Sequence, residues 1–441
     1  MNSSTPRGAK RNPVMGLLVK LAGTRNLVLL VDTGFTALLG MGLVVLASRT
    51  MSPVNLATFS LAQMVIVTIV GLVRGAFYGP AMAAQRLTGR ARVPVSWLWK
   101  VALPIGAVMS LLLAPLLARG GQSFSGWFVT LALASAAILA QDGIRAVLMS
   151  RELTVGALVS DACATCLAGV LALAGVFPAS PRGILELWAT AAATAFVLGM
   201  GWLFWKRTSV EQLADQSLAK TWSMGKWGAL DVAFAASATL LPMFISALYL
   251  GSSSAGAYRA LQTGMGPLNI LHTTIVTAFG LDAWRNSDLA GLAALKKRVN
   301  RMGAILLGAS SAYAVLALPL MAWISQVHDP HLWRVGLIVA VAGILGATST
   351  PYNAAALALG YQKSGAIIRL VIVVATMAVS LPWSARTWVP WHDPIGAASL
   401  IVSVTSFLGW LLSYRLGVAK ETVLLTARDN STDTTTQRTT S

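Results

Sequence analysis

The chain has 441 residues; 56% are Ala, Val, Ile, Leu, Met, Phe, Trp, Tyr or Cys and only 11% are charged. Soluble proteins carry roughly 45–50% apolar and about 25% charged residues, which excludes a soluble globular domain and puts most of this chain in lipid. The 33 Lys and Arg against 15 Asp and Glu leave a net charge of +18, which in a soluble protein would point to nucleic acid.

Two cysteines exclude a disulfide framework, and four histidines lack metal-like spacing. Neither a G-x-x-x-x-G-K-[ST] phosphate loop nor a G-x-G-x-x-G turn occurs, which argues against a built-in ATPase. The N-terminus is basic (Arg7, Lys10, Arg11), but Lys20 and Arg25 interrupt its apolar run and many such runs follow, unlike a cleaved signal peptide.

About 20 apolar residues are needed to cross the hydrocarbon core as a helix. Twelve segments qualify: 26–47, 57–79, 98–118, 126–148, 155–177, 184–205, 227–250, 255–280, 302–324, 335–358, 364–383 and 395–415. The eighth and tenth contain Pro267 and Pro351 with nearby Gly, Ser and Thr, so both are expected to kink or partly unwind. Basic residues mark cytoplasmic segments. With the N-terminus inside, 24 Lys and Arg fall in inner segments, 5 in outer loops and four within spans. The predicted fold class is thus an all-α polytopic membrane protein of about 12 transmembrane helices in two six-helix bundles, both termini cytoplasmic. Most of the net charge serves topology, not nucleic acid, and it can also hold anionic inner-leaflet lipid. Tryptophans such as Trp97, Trp99, Trp222 and Trp323 lie near span ends, where indoles prefer the headgroup layer.

The expected organisation is a basic cytoplasmic N-terminus (1–25), a first bundle (26–205), a cytoplasmic linker (206–226), a second bundle (227–415) and a disordered cytoplasmic tail (416–441), the last 13 residues having no apolar side chain. A shift of 199 residues lays Asp32 on Asp231, Phe59 on Tyr258 and Gln63 on Gln262, with FSLAQ (59–63) aligned on YRALQ (258–262). This suggests a duplication. Six spans per half insert both halves the same way up, related by an axis along the membrane normal with a cavity between them.

Ionised groups within the bilayer need a reason. Asp32, Asp161, Asp231 and Arg369 lie four to six residues inside the cytoplasmic start of their spans, and Arg74, Asp142 and Arg145 within about six of a cytoplasmic end. At 1.5 Å per residue, all seven sit within about 10 Å of the inner interface; Arg259 and Glu186 are nearer the outer end. Arginines so placed can snorkel, and Asp142 with Arg145 is an i,i+3 pair able to neutralise itself. Short aspartates cannot snorkel far, and as a group they suggest a polar vestibule open to the cytoplasm. There, guanidinium groups suit a phosphate and the acids suit a coupling proton or Na⁺. Cys163, Cys166 and the solitary His272 are expected to be packing residues, and Gly40, Gly42, Gly71, Gly75, Gly264 and Gly266 to let helices approach.

Three stretches carry a resemblance: ASRTMSPVNLATFSLAQ (47–63), QDGIRAVLMSRELTVGALVSD (141–161) and GAYRALQTGMGPLNIL (256–271). They resemble the first-to-second span turn, the fourth-to-fifth span junction and the eighth span of the polysaccharide-biosynthesis (O-antigen and teichoic-acid-type) flippases of the multidrug/oligosaccharidyl-lipid/polysaccharide (MOP) superfamily. The resemblance covers about residues 20–415. It implies a non-enzymatic plasma-membrane flippase that moves a polyprenyl-diphosphate-linked oligosaccharide outward by alternating access. Arg74, Arg145, Arg259 and Arg369 are then headgroup candidates, and Asp32, Asp231, Asp142 and Asp161 coupling or gating candidates. No cofactor is implied, though H⁺ or Na⁺ can drive such a cycle. The expected partners are membrane lipids, the lipid-linked glycan and glycosyltransferases or a polymerase of its pathway, with no nucleic acid. Two other readings stand beside it. A cation-coupled drug or metabolite exporter of the same superfamily would place its acids deeper in the bundle. A membrane glycosyltransferase or polymerase would need larger outer loops than these, which hold only Asp329 and Asp393 as acids.

Overall fold

A computed structural model describes residues 24–81, 93–118, 123–206, 217–249, 261–266, 289–325, 330–359, 362–380 and 394–438, together with Arg259 and Leu268. Regular structure among the described residues is entirely helical. The helices are α1 (Thr24–Thr50), α2 (Pro53–Val73), α3 (Leu103–Leu117), α4 (Phe124–Ser150), α5 (Thr154–Leu173), α6 (Pro181–Trp205), α7 (Leu218–Tyr249), α8 (Leu289–Ser325), α9 (Pro330–Ala358), α10 (Gln362–Ser380) and α11 (Pro394–Arg438). A π-helical turn, Arg74–Tyr78, extends α2, and another, Leu98–Ala102, leads into α3. Nine stretches within these helices are long and apolar enough to cross a bilayer. The other three predicted spans also carry helix. They are α7, the turns around Arg259–Leu268, and α10, which includes Lys363 and Arg369.

The start signals are local. Ser52, Ser123 and Ser180 cap α2, α4 and α6, each hydroxyl accepting from the backbone N–H three residues on. Such a cap contributes about 1 kcal/mol by satisfying a donor the helix cannot. All three caps lie at the ends poor in Lys and Arg, here termed outer; the basic ends are termed inner.

In the first half, α4 packs against α3 and α6, while α5 packs against α1 and α6. Their core holds Phe59, Trp127, Leu131, Leu185 and Ala191, with a second cluster around Tyr78, Trp97, Leu98, Leu139 and Ile144 toward the inner end. In the second half, α9 packs against α8 and α11, and α10 against α7 and α11, around Val299, Ala354, Ala355 and Trp410. Leu112, Leu133, Leu173, Val197 and Leu316 stand exposed on the outside, the arrangement of helices solvated by lipid.

Several expectations change. The tail is not disordered throughout, because α11 continues from its span to Arg438. Extending an existing helix avoids the nucleation cost, and Val418–Arg428 is rich in good helix formers. Likewise α7 begins at Leu218, inside the expected linker, and α8 at Leu289, ahead of its span. Cys163 and Cys166 are exposed, not packed in the core. The tenth span runs as one helix through Pro351. In the eighth, Met265 N–H donates to Gln262 O at 3.0 Å and Leu268 N–H to Met265 O at 3.1 Å, both i to i−3 bonds, and Pro267 itself lies outside the described residues. His272, Tyr258 and the N-terminal 23 residues lie outside the described residues.

Candidate functional site

Four helices of the first half converge on a buried ionic cluster. Arg145 of α4 donates through Nε to Asp32 Oδ2 of α1 at 2.7 Å, and its Nη2 also bonds that oxygen. The same guanidinium lies 3.5 Å from Asp161 Oδ2 of α5 and 3.4 Å from Thr33 Oγ1. Asp161 further accepts from Gln141 Nε2 at 2.8 Å and from Thr36 Oγ1 at 3.2 Å. The Asp32 and Asp161 side chains are 1% and 2% exposed. One turn away, Arg74 of the π turn donates through Nε to Asp142 Oδ1 at 2.7 Å. Asp142 and Arg145 therefore do not neutralise each other along α4. Each reaches a different helix, and together they tie α4 to α1, α2 and α5. Three carboxylates face two guanidinium groups here. Asp32 Oδ1 and Asp142 Oδ2 are buried with no hydrogen-bond partner among the described residues.

The second half repeats the plan with altered chemistry. Asp231 of α7, the counterpart of Asp32, lies 3.5 Å from Arg369 Nε of α10. Arg369 also donates to Ser406 Oγ of α11 at 3.5 Å and places its guanidinium 5.8 Å from the Trp410 ring centroid. At a shift of 208 residues, Arg145, Asp161 and Trp202 fall on Asn353, Arg369 and Trp410. The base of the first half is thus an amide in the second, and its second acid is a base. Asn353 and Trp410 are both buried. The packing repeats as well. A Cβ at Gly156 would sit 2.5 Å from Trp202, and one at Gly365 2.6 Å from Trp410. The 199-residue alignment misses these pairs because the loops between the first and fourth spans differ in length. A second offset of 208, anchored on Trp202 and Trp410, brings out the charged and aromatic pairs in the sequence, while Gly156 and Gly365 are offset by 209.

Arg259 sits elsewhere, on the seam between the halves. Its Nη2 donates to Gln63 Oε1 of α2 at 3.1 Å and its Nη1 to Gln262 Oε1 at 3.3 Å. The two repeat-related glutamines therefore meet on one guanidinium, and Ser60, at the position matching Arg259, is fully buried. Toward the outer end, Arg49 of α1 donates to Trp323 O of α8 at 2.9 Å and stacks 4.0 Å from that indole's centroid. Toward the inner end, α2 and α7 touch backbone to backbone. A Cβ at Gly75 would sit 2.9 Å from Gly228 O, and one at Gly225 would run into Ala76 O. Glycine at these positions is what permits the approach. Glu186, by contrast, joins Arg182 (4.0 Å) and Thr130 (3.1 Å) at the outer end of the first half, away from both clusters.

This arrangement of helices recurs in solved structures. A MOP superfamily transporter from Pyrococcus furiosus superposes with a TM-score of 0.65 at 14% identity, over 91% of this chain and 94% of that one. The fold is that of the MOP-superfamily transporters. An outward-facing MATE family multidrug resistance transporter gives 0.66 at 15% identity, covering 90% and 95% of the two chains. An inward-facing one gives 0.65 at 13%, covering 94% and 99%. No protein-family model and no curated protein matches the sequence. Among the described residues, no group of three or more His, Cys, Asp or Glu is placed to hold a metal ion.

Of the four arginines expected at a headgroup, this MOP-fold chain thus holds Arg74 and Arg145 in ion pairs within the first half and Arg369 in one within the second, while Arg259 spans the two halves. The three paired arginines link helices of their own halves, and Arg259 lies on the seam, bonded to Gln63 of α2.

Proposed function

We propose that the protein is a plasma-membrane flippase that carries a polyprenyl-diphosphate-linked oligosaccharide from the inner to the outer leaflet by alternating access. The observation that supports this reading best is Arg259, a guanidinium held at the seam by the amide oxygens of Gln63 and Gln262. The amide oxygens orient the guanidinium, whose planar fork matches a diphosphate bidentately. Its position matters as much as its charge. It links α2 to the eighth span across the seam, so an anion that takes over its hydrogen bonds also loosens the outer closure. The glycine contact of α2 with α7 closes the inner end when the outer one opens.

Coupling then belongs to the first half. With three carboxylates around two guanidinium groups, the cluster carries one negative charge in excess, which a proton or Na⁺ entering from either side neutralises. Among the described residues, the matching site of the second half pairs one acid, Asp231, with one base, Arg369.

A cation-coupled exporter of drugs or metabolites is the second reading. The same surplus carboxylate favours it, and two of the structural relatives are multidrug resistance transporters. Vesicles loaded with a fluorescent polyprenyl-diphosphate glycan on one leaflet separate the two. Transfer by the wild type that disappears in Arg259→Ala supports the flippase. Gradient-driven accumulation of cationic dyes without glycan transfer supports the exporter.

A further inference from the structure

A cleft of about 330 Å³ opens at the inner end of the seam, lined by Phe77, Lys100, Pro104, Ile105, Leu218 and Trp222, among others. Phe77 comes from the π turn after α2. Lys100 comes from the π turn before α3, and Pro104 and Ile105 from α3 itself. Leu218 and Trp222 come from α7, so the two walls belong to opposite halves. The Phe77 ring lies 5.9 Å from Trp222, tilted 31° to it, and 6.1 Å from Trp97, edge to face, so aromatic rings back the cleft. Trp222, Trp99 and Leu103 remain about half exposed around it, on a surface that faces lipid.

The charge of the rim selects the occupant. Lys100 is exposed at the mouth, and Lys220 and Lys226 of α7 are exposed on the adjoining wall. Among the described residues, no carboxylate lines the cleft. An apolar slot with a lysine at the headgroup level matches an acyl chain below a phosphate. The volume suits part of one chain, not a whole lipid, leaving the headgroup at the rim.

We infer that this cleft binds an anionic diacyl phospholipid of the inner leaflet, with one acyl chain between α3 and α7 and the phosphate on Lys100. Because both halves contribute walls, the bound lipid pins their inner ends together and favours the closed inner face. This inference concerns a bystander lipid and stands whatever cargo is carried.

The test needs no transported substrate. The full chain is reconstituted in phosphatidylcholine vesicles containing a photoreactive phosphatidylglycerol, and the labelled peptides are mapped. Labelling of residues 98–105 and 218–222, displaced by unlabelled phosphatidylglycerol but not by phosphatidylcholine, is the expected result. Lys100→Ala should lower it about fivefold, the effect of one basic residue at the surface, and Lys100→Arg should retain it. Ala219→Trp, which fills the cleft and leaves Lys100 in place, should abolish it, and serves as the deciding variant if Lys100→Ala folds poorly. Equal labelling by a photoreactive phosphatidylcholine, or labelling unchanged in both Lys100→Ala and Ala219→Trp, would mean annular lipid only and overturn the assignment.

Discussion

Arg145 and Asp32 form an almost fully enclosed ion pair, Nε to Oδ2 2.7 Å, with side chains 12% and 1% exposed. A buried pair contributes little relative to an apolar one of the same shape, but removing one member strands the other without solvent. Asp161, 3.5 Å from the same guanidinium, would also lose a cationic neighbour, though Gln141 and Thr36 still donate to it.

Arg145→Ala should therefore destabilise the folded protein by about 3–5 kcal/mol, while the double variant Asp32→Asn with Arg145→Gln should lose clearly less than the two single changes added together. Thermal unfolding in detergent, followed by size-exclusion of the tagged protein, measures both. If Arg145→Ala melts like the wild type, Arg145 is not a tie between α4, α1 and α5, and a direct substrate role returns.

That outcome bears on what the sequence made legible. Helix number, membrane class and the repeat were readable because a lipid-solvated helix must be apolar throughout and because Asp32 and Asp231 keep their places in both halves. Partner choice was not. Asp142 and Arg145 are one turn apart on α4, and periodicity alone favours their pairing. The structure instead sends them to Arg74 and Asp32, a decision made by how α1, α2 and α5 pack around α4. The exposed cysteines were misplaced because Cys in an apolar helix reads the same on its packed and lipid-facing sides. The seam contacts of Arg259 needed two helices from different halves, which no local pattern encodes.

Arg259→Ala should lower glycan transfer at least tenfold while the protein still folds. Arg259→Lys should recover charge but not bidentate geometry, and so restore only part of the rate. Parallel melting curves and transfer rates in vesicles check this. Transfer unaffected by the alanine variant would remove the seam arginine from substrate binding.

The two halves should respond differently to loss of an acid. Asp161→Asn removes the surplus carboxylate while Arg145 keeps Asp32, so gradient-driven transport should fall at least tenfold with the protein still folded. Asp231→Asn instead strands Arg369, which lies 3.5 Å away at 17% exposure, and should show mainly as lower stability. Transport rate against an imposed proton or sodium gradient, normalised to folded protein, separates the outcomes. Equal loss of gradient dependence in both variants would contradict coupling confined to the first half.

Closure of the inner end depends on the absence of side chains where α2 meets α7. At Gly225 a Cβ would enter the space of the Ala76 carbonyl, and neither partner is a flexible side-chain tip that can move aside. Gly225→Leu should therefore hold the halves apart at the inner end, and transport should drop at least tenfold without loss of insertion. The same separation should expose the α2 wall, so a cysteine at Gly71, 2.9 Å from Val232 when given a Cβ, should react faster with a membrane-impermeant thiol reagent applied from the inner side in the Gly225→Leu background. Cys163 and Cys166 are exchanged for serine beforehand, which their exposed positions on α5 permit. An unchanged labelling rate with normal transport would show that the helices separate elsewhere, and that the glycine contact is packing and not a gate.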